Sequence, residues 1–176
     1  MGSMGSRVIF IGIALSVFAF FAVSVTLGAE KKNEDPEQEM VIMGLGFDQV
    51  AQTPVVLLTD KKNGNVLPIW IGLCEARSIE IGLSGMVPPR PLTYDMVAAI
   101  VRTMNAEVKR VVITDLRDQV FYAQVVMSVN GRVSKIDARP SDAIALASRM
   151  NSPIFVKRSV IGKAALIESD VVEREL

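Results

Sequence analysis

No histidine occurs anywhere in the 176-residue chain. That absence removes Ser-His-Asp and Cys-His nucleophilic systems, histidine-ligated zinc, and every hydrolytic mechanism that uses imidazole as acid or base. Cysteine is almost as scarce. Cys74 stands alone, so no internal disulfide forms and no cysteine cluster binds zinc. With no histidine, and no basic residue immediately beside it, its thiol reads as inert. Net charge is missing too, because Lys plus Arg and Asp plus Glu both number 19. Without residues 1–29, which hold only Arg7, the balance is 18 basic to 19 acidic, and from Val41 onward it is 16 to 14. Neither balance is the footprint of an avid nucleic-acid binder, although a local basic groove stays open.

What is present suffices for one domain with its own core, plus an appendage. Hydrophobic residues make up 50% of the chain and the mean hydropathy is +0.37, a high value to which the N-terminal segment contributes much. An uncharged apolar run extends from Val8 to Leu27. It is longer than the ~7–15-residue core of a signal peptide and reaches the ~20 residues that span a bilayer. Gly28-Ala29 follows as a small-residue cleavage site, and no cysteine follows for a lipoprotein anchor. Residues 1–29 therefore read as an export signal, cleaved or kept as a membrane anchor through residues 8–27. The protein is expected in the periplasm, outside the cell, or anchored to the membrane. Residues 30–39 (EKKNEDPEQE) read as a charged, solvated linker. The folded domain is expected over 40–160, with 161–176 as a C-terminal tail.

Within the domain, Met40 to Gln49, Pro54 to Thr59 and Val66 to Ile71 read as strands, the last two separated by a turn at Asn63-Gly64. Cys74 to Ser84 reads as a helix with Ala76, Ile79 and Leu83 facing inward. After a proline-rich loop, Thr93 is expected to cap a second helix with the stripe Val97, Ile100, Val101 and Met104. Glu107 to Leu116 and Val120 to Val129 form a hairpin around Arg117-Asp118, and Asn130-Gly131 turns into Val133 to Ala138. Trp70, the only tryptophan, reads as a core or interface residue.

The stretch Lys135 to Asn151, KIDARPSDAIALASRMN, combines a strand end, a charged corner and an apolar helix. Pro140 stops the strand ladder, Ser141 is the expected cap, and Asp142 sits where the helix dipole favours a carboxylate. Ala143, Leu146, Ala147 and Met150 form the inner stripe, widened by Ile144 and Ala145 until little of the helix is left for water. A weak repetition aligns Trp70 with Asp137, Glu75-Ala76 with Asp142-Ala143, and Ile79 with Leu146, as an internal duplication of a three-strand-plus-helix unit would. The fold expected is α+β, with a mostly antiparallel, bent sheet and helices packed on it.

IDARPSDAIALA, together with LPIWIGLCEARSI, RPLTYDM and FYAQVVM, resembles the bifunctional nuclease domain family over about Met40 to Val160. The resemblance implies cleavage of both DNA and RNA. Tyr94 departs from the pattern, since sequences of this kind commonly carry histidine there (RPLTHD). If that histidine were the general base, this chain would be weak or inactive.

Phosphodiester hydrolysis without histidine needs another way to activate water, and a divalent metal held by carboxylates is the natural one, here Mg²⁺ or Mn²⁺. Asp137 and Asp142 flank the strand-to-helix corner, with Glu75 and Asp95 as further metal ligands. Asp137, Asp142 and Arg139 are the expected catalytic set, and Arg90, Ser141 and Thr93 the expected contacts to substrate DNA or RNA. Each has a plainer reading. Asp142 and Asp95 can simply complement helix dipoles, Asp137 and Arg139 can pair with each other, Arg90 can pack its stem, and Glu75 can be solvated. The rival for the whole chain is a non-catalytic, exported or membrane-anchored domain that binds a partner. A homodimer is expected because so apolar a domain tends to cover a face by pairing.

Overall fold

The computed structural model describes residues 35–60, 62 and 64–165. The apolar N-terminal run, the first part of the linker and the tail from 166 onward lie outside the described residues. The strands are β1 (Glu37–Asp48), β2 (Thr53–Thr59), β3 (Val66–Trp70), β4 (Ala106–Arg117), β5 (Val120–Val129), β6 (Arg132–Ala138) and β7 (Ile154–Lys157). The helices are α1 (Leu73–Ser84), α2 (Thr93–Thr103) and α3 (Pro140–Met150), and residues 158–165 are also helical. β1 begins inside the stretch read as linker, because Glu37–Met40 pair with Ile154–Lys157 of β7.

One seven-stranded sheet results, in the order β3-β2-β1-β7-β4-β5-β6, antiparallel except for the parallel pair β4 and β7. β1 pairs with β7 through its first residues and with β2 from Val41 onward, with a register shift between Ile42 and Gly44. A bulge of this kind bends a strand and increases its twist. Each half runs three antiparallel strands into a helix, β1-β2-β3-α1 and β4-β5-β6-α3, and β3 and β6 lie at opposite edges.

Local chemistry accounts for these elements. β2 alternates, burying Pro54, Val56 and Leu58 and leaving the residues between them half-covered. The β5–β6 hairpin turns on Asn130 and Gly131, both at positive φ (49° and 78°) as a tight two-residue turn requires. The β4–β5 turn falls one residue later than expected, on Asp118 and Gln119, also both at positive φ.

α3 is the centre of the core. Ala143, Ile144, Ala145, Leu146 and Ala147 are all buried, and Ile79 of α1 and Ala98 and Val101 of α2 join the same cluster. Fully burying a side chain such as Ile144 or Ile79 stabilises the fold by roughly 1.5–3 kcal/mol. The expected inner stripes of α1 and α2 need correction. Leu83, Ile100 and Met104 are exposed. In α2 the covered stripe is Tyr94, Val97, Ala98 and Val101, which obeys the same i, i+3, i+4, i+7 rule one step round the helix. Two apolar stripes share α2, and periodicity alone does not choose between them.

Candidate functional site

The first turns of α1, α2 and α3 bring Glu75, Tyr94 and Asp142 together around Arg139. Arg139 is the N-cap of α3 and Pro140 its first residue, a position where proline costs no hydrogen bond. The expected cap at Ser141 is therefore displaced by two residues. Arg139 donates from Nε to Asp142 Oδ2 (2.6 Å) and from Nη2 to both Asp142 Oδ1 (2.8 Å) and Glu75 Oε1 (2.9 Å). The Tyr94 phenol donates to Asp142 Oδ1 across the gap between α2 and α3. At Gly72, the N-cap of α1, an added Cβ would collide with the Glu75 carboxylate, so glycine there lets that side chain fold back over the helix start.

The electrostatics follow from this packing. Burial, the largest influence on Asp142, pushes its carboxyl up. The bonds from Arg139 and Tyr94 and the Arg139 charge together outweigh it and hold the group below the ordinary carboxylate range. Burial, followed by the bond to Asp142, pushes the Tyr94 phenol well above its ordinary value, so it stays a neutral donor. The bonds and charge of Asp142, then those of Glu75, hold the Arg139 guanidinium even more firmly in its cationic form. Arg139 nevertheless remains 67% exposed in its side chain, whereas Glu75 is 18% exposed.

Beside Arg139 opens a cavity of about 490 Å³, lined among others by Trp70, Gly72, Phe121, Arg139 and Ser141. Trp70, read from the sequence as core or interface, is 51% exposed and so is not in the core. Its indole N–H donates to Asp48 Oδ2 (2.8 Å), and Asp48 Oδ1 accepts from the N–H groups of Val50 and Ala51. Ser141 is only 8% exposed, and its hydroxyl makes no hydrogen bond among the described residues.

Not every expected site residue joins this cluster. Asp137 pairs in register with Gln124, while its neighbours Ile136 and Ala138 lie opposite Val125 and Ala123 of the core face. Strand alternation therefore turns Asp137 to the other face of the sheet, away from Asp142. Arg139 pairs instead with Glu75 and Asp142. Asp95 is also elsewhere, accepting from Arg149 Nε (2.7 Å) and the Leu92 backbone N–H (2.9 Å). Leu92 is the N-cap of α2 and Thr93 its first residue, so the carboxylate of Asp95, not the hydroxyl of Thr93, closes that helix start. The Arg149 bond, then the Leu92 bond, holds the Asp95 carboxyl low. Thr93 and Arg90 are exposed, and neither side chain has a partner among the described residues.

Two residues carry more of the arrangement than sequence reasoning assigned them. Tyr94 enters the cluster directly. Arg149, its side chain 8% exposed, joins Asp95 of α2 to the Ser78 carbonyl of α1 from the last turn of α3. Its sequence signal was there: an arginine at i+7 from Asp142 on an otherwise buried helix has to find partners inside.

Fold and site together define the class of protein: an α+β domain that gathers a phenol, two carboxylates and a guanidinium at the starts of three helices. Comparison with known proteins agrees. The profile of the bifunctional nuclease domain matches residues 56–169, and the chain belongs to that family. An uncharacterized protein of Mycobacterium tuberculosis is 37% identical over 137 residues, which are 78% of this chain and 82% of that protein. Bifunctional nuclease 1 of Arabidopsis thaliana is 30% identical over 114 residues, 63% of this chain but 35% of the plant protein. Bifunctional nuclease 1 of Oryza sativa subsp. japonica is 27% identical over 116 residues, again 35% of its length.

Proposed function

We propose that this chain hydrolyses phosphodiester bonds in DNA and RNA at the Glu75–Tyr94–Arg139–Asp142 cluster. The observation that carries this reading is the position of Arg139, an exposed guanidinium held by two carboxylates at the convergence of three helix starts. A phosphate arriving there meets a planar cation suited to bidentate capture and helix N-termini that favour anions. As the guanidinium turns to the phosphate, Asp142 loses its main charge partner. Its basicity rises at that moment, and the Tyr94 hydroxyl keeps it oriented to accept a proton from attacking water. The P–O bond to one sugar oxygen breaks, and that oxygen takes a proton from solvent.

Mg²⁺ or Mn²⁺ is commonly held by one or two carboxylates together with substrate phosphate, and in this cluster those would be Glu75 and Asp142. No group of three or more acidic or thiol side chains gathers as a cation cage among the described residues. Glu75 and Asp142 would serve a shared ion only after Arg139 had left both, so no step here runs through a metal. Arg90 and Thr93, exposed near the start of α2, are available for contacts to the strand. The test is cleavage of single- and double-stranded DNA and RNA by the full-length chain, with either metal and with chelator. Asp142→Asn is expected to lower the rate by about 100-fold, the scale of a lost proton acceptor. Native rates in that variant would overturn the assignment.

A second reading, a domain that assembles with a copy of itself, is favoured by one feature. Met96, Ile100 and Met104 form an exposed apolar stripe along α2. Sedimentation of the chain with all three changed to serine tests it, and an unaltered mass would remove α2 from the interface. Export or anchoring through residues 8–27 rests on the length of that apolar run in the sequence, since no helix among the described residues is long and apolar enough to cross a membrane. An alkaline phosphatase fusion after Glu39 that stays silent in cells would remove that part of the reading.

A further inference from the structure

We propose that the cavity beside Arg139 is a nucleotide pocket, in which a base stacks on Trp70 while its phosphate is held by Arg139 and the Ser141 hydroxyl. This deepens the nuclease reading and rests on it, because it gives the cluster a defined unit of substrate to hold.

Trp70 is the first observation. A tryptophan left half-exposed on an edge strand keeps a large apolar face in water, and here it does so in a fixed position. The Asp48 carboxylate holds the indole N–H, and the turn after β1 holds that carboxylate. A ring prepared in this way loses little freedom when a flat partner arrives, and every base has a face that stacks on it. Phe121 and Ile71 supply further apolar wall.

Ser141 is the second and independent one. The residue is 8% exposed, and its hydroxyl, which lines the cavity without a hydrogen-bond partner among the described residues, is not one of their buried unpartnered atoms and so stays open to a ligand in the cavity. It stands at the second position of α3, after Pro140, where the backbone N–H has no acceptor within the helix. Gly72, at the start of α1, lines the same cavity. An anion placed there meets the Ser141 hydroxyl, the start of α3 and the Arg139 guanidinium, while the Glu75 carboxylate already covers the start of α1. The volume of about 490 Å³ lies within the roughly 300–1,000 Å³ of small-ligand sites. An aromatic face together with an anion cradle fits a nucleoside monophosphate unit better than a bare anion or an apolar side chain.

Because Trp70 is the only tryptophan, intrinsic fluorescence of the full-length chain reports on this pocket alone. AMP and UMP contain no diester to cleave, so binding is read without chemistry. Both are expected to quench the emission saturably, with adenosine at least tenfold weaker and inorganic phosphate giving no quench. By calorimetry, Trp70→Ala is expected to weaken AMP about tenfold, with Trp70→Phe recovering most of the loss. Ser141→Ala is expected to weaken AMP severalfold and leave adenosine unchanged. The proposal is overturned if a chain with a native circular dichroism spectrum shows no saturable response to AMP. It is also overturned if phosphate matches AMP, or if Trp70→Ala binds like the native chain. AMP binding in a chain that cleaves no polymer would keep the pocket and sink the nuclease. Cleavage with unchanged KM in Trp70→Ala would do the reverse.

Discussion

Tyr94 donates its phenolic proton to Asp142 from a different helix, 48 residues away in the chain. This bond is one of the influences that keep the Asp142 carboxyl low. Tyr94→Phe removes the donor and leaves the ring. The acid limb of the cleavage pH profile is then expected to move upward, since Asp142 loses a bond that favours its charged form. Stability should fall by about 1 kcal/mol, the ordinary net value of one hydrogen bond. Tyr94→His is expected to raise cleavage at neutral pH, because an imidazole titrates near that value. An unmoved profile in both variants would detach Tyr94 from the chemistry.

Asp137 and Asp142 are five positions apart and face opposite sides of the sheet. Asp137→Asn is therefore expected to leave cleavage within twofold of native, in contrast to the loss expected for Asp142→Asn. Arg139→Lys keeps the charge and loses the fork, and kcat/KM is expected to fall by about 10- to 100-fold, the equivalent of one to two charge-assisted bonds. Its effect on stability should be small, because the Arg139 side chain is largely exposed. Steady-state kinetics on a single labelled oligonucleotide would settle all three.

The Asp95–Arg149 pair is the structural counterpart of the site. Arg149 is nearly buried, and its Nη2 has no hydrogen-bond partner among the described residues. Asp95→Ala would strand that charge, and urea unfolding is expected to show a loss of about 3 kcal/mol. Replacing both residues, Asp95→Leu with Arg149→Met, is expected to recover much of it. If the double variant is no better than the single, the pair is not the source of the loss.

Asp95 and Asp142 both have carboxyls held below their ordinary range in the folded chain. Groups of that kind contribute stability that is present above their unfolded pKa, about 3.9, and lost as pH falls through the folded value. The melting temperature should therefore hold between about pH 5 and 7, where no histidine titrates, and drop below about pH 4. Asp95→Asn should flatten that drop. A steep change near pH 6 would contradict the assignment.

Much of this fold was legible in the chain. The alternation of TPVVLLT, the Asn130-Gly131 turn and the alanine-rich stripe of α3 each had one physically reasonable solution. α2 did not, because Met96, Ile100 and Met104 offer a stripe as regular as Tyr94, Val97 and Val101. Only packing against α3 decides between them. The site divides in the same way. Asp142, Arg139 and Glu75 were legible from residue type and position near helix starts. That Arg139 would bridge the two carboxylates, and that Asp95 would turn to Arg149, depends on contacts 64 and 54 residues apart. Asp137 was misplaced because the strand ends one residue after it, and a corner read from sequence does not show which face the last side chain takes. Trp70 was left between core and interface for a related reason, since its place on an edge strand is a property of the strand order.

Glu75 belongs to the half built on β1, β2 and β3, and Arg139 to the half built on β4, β5 and β6. In the sheet these halves are joined by the short β1–β7 ladder, in which Glu37 to Met40 face Ile154 to Lys157. The cluster is thus a joint product that neither portion of the chain owns. Outside the sheet the packing of α1 against α3, with Arg149 bonded to the Ser78 carbonyl, is what keeps the arginine beside its distant carboxylate, so a lesion there would part the two while leaving each side's own strands paired.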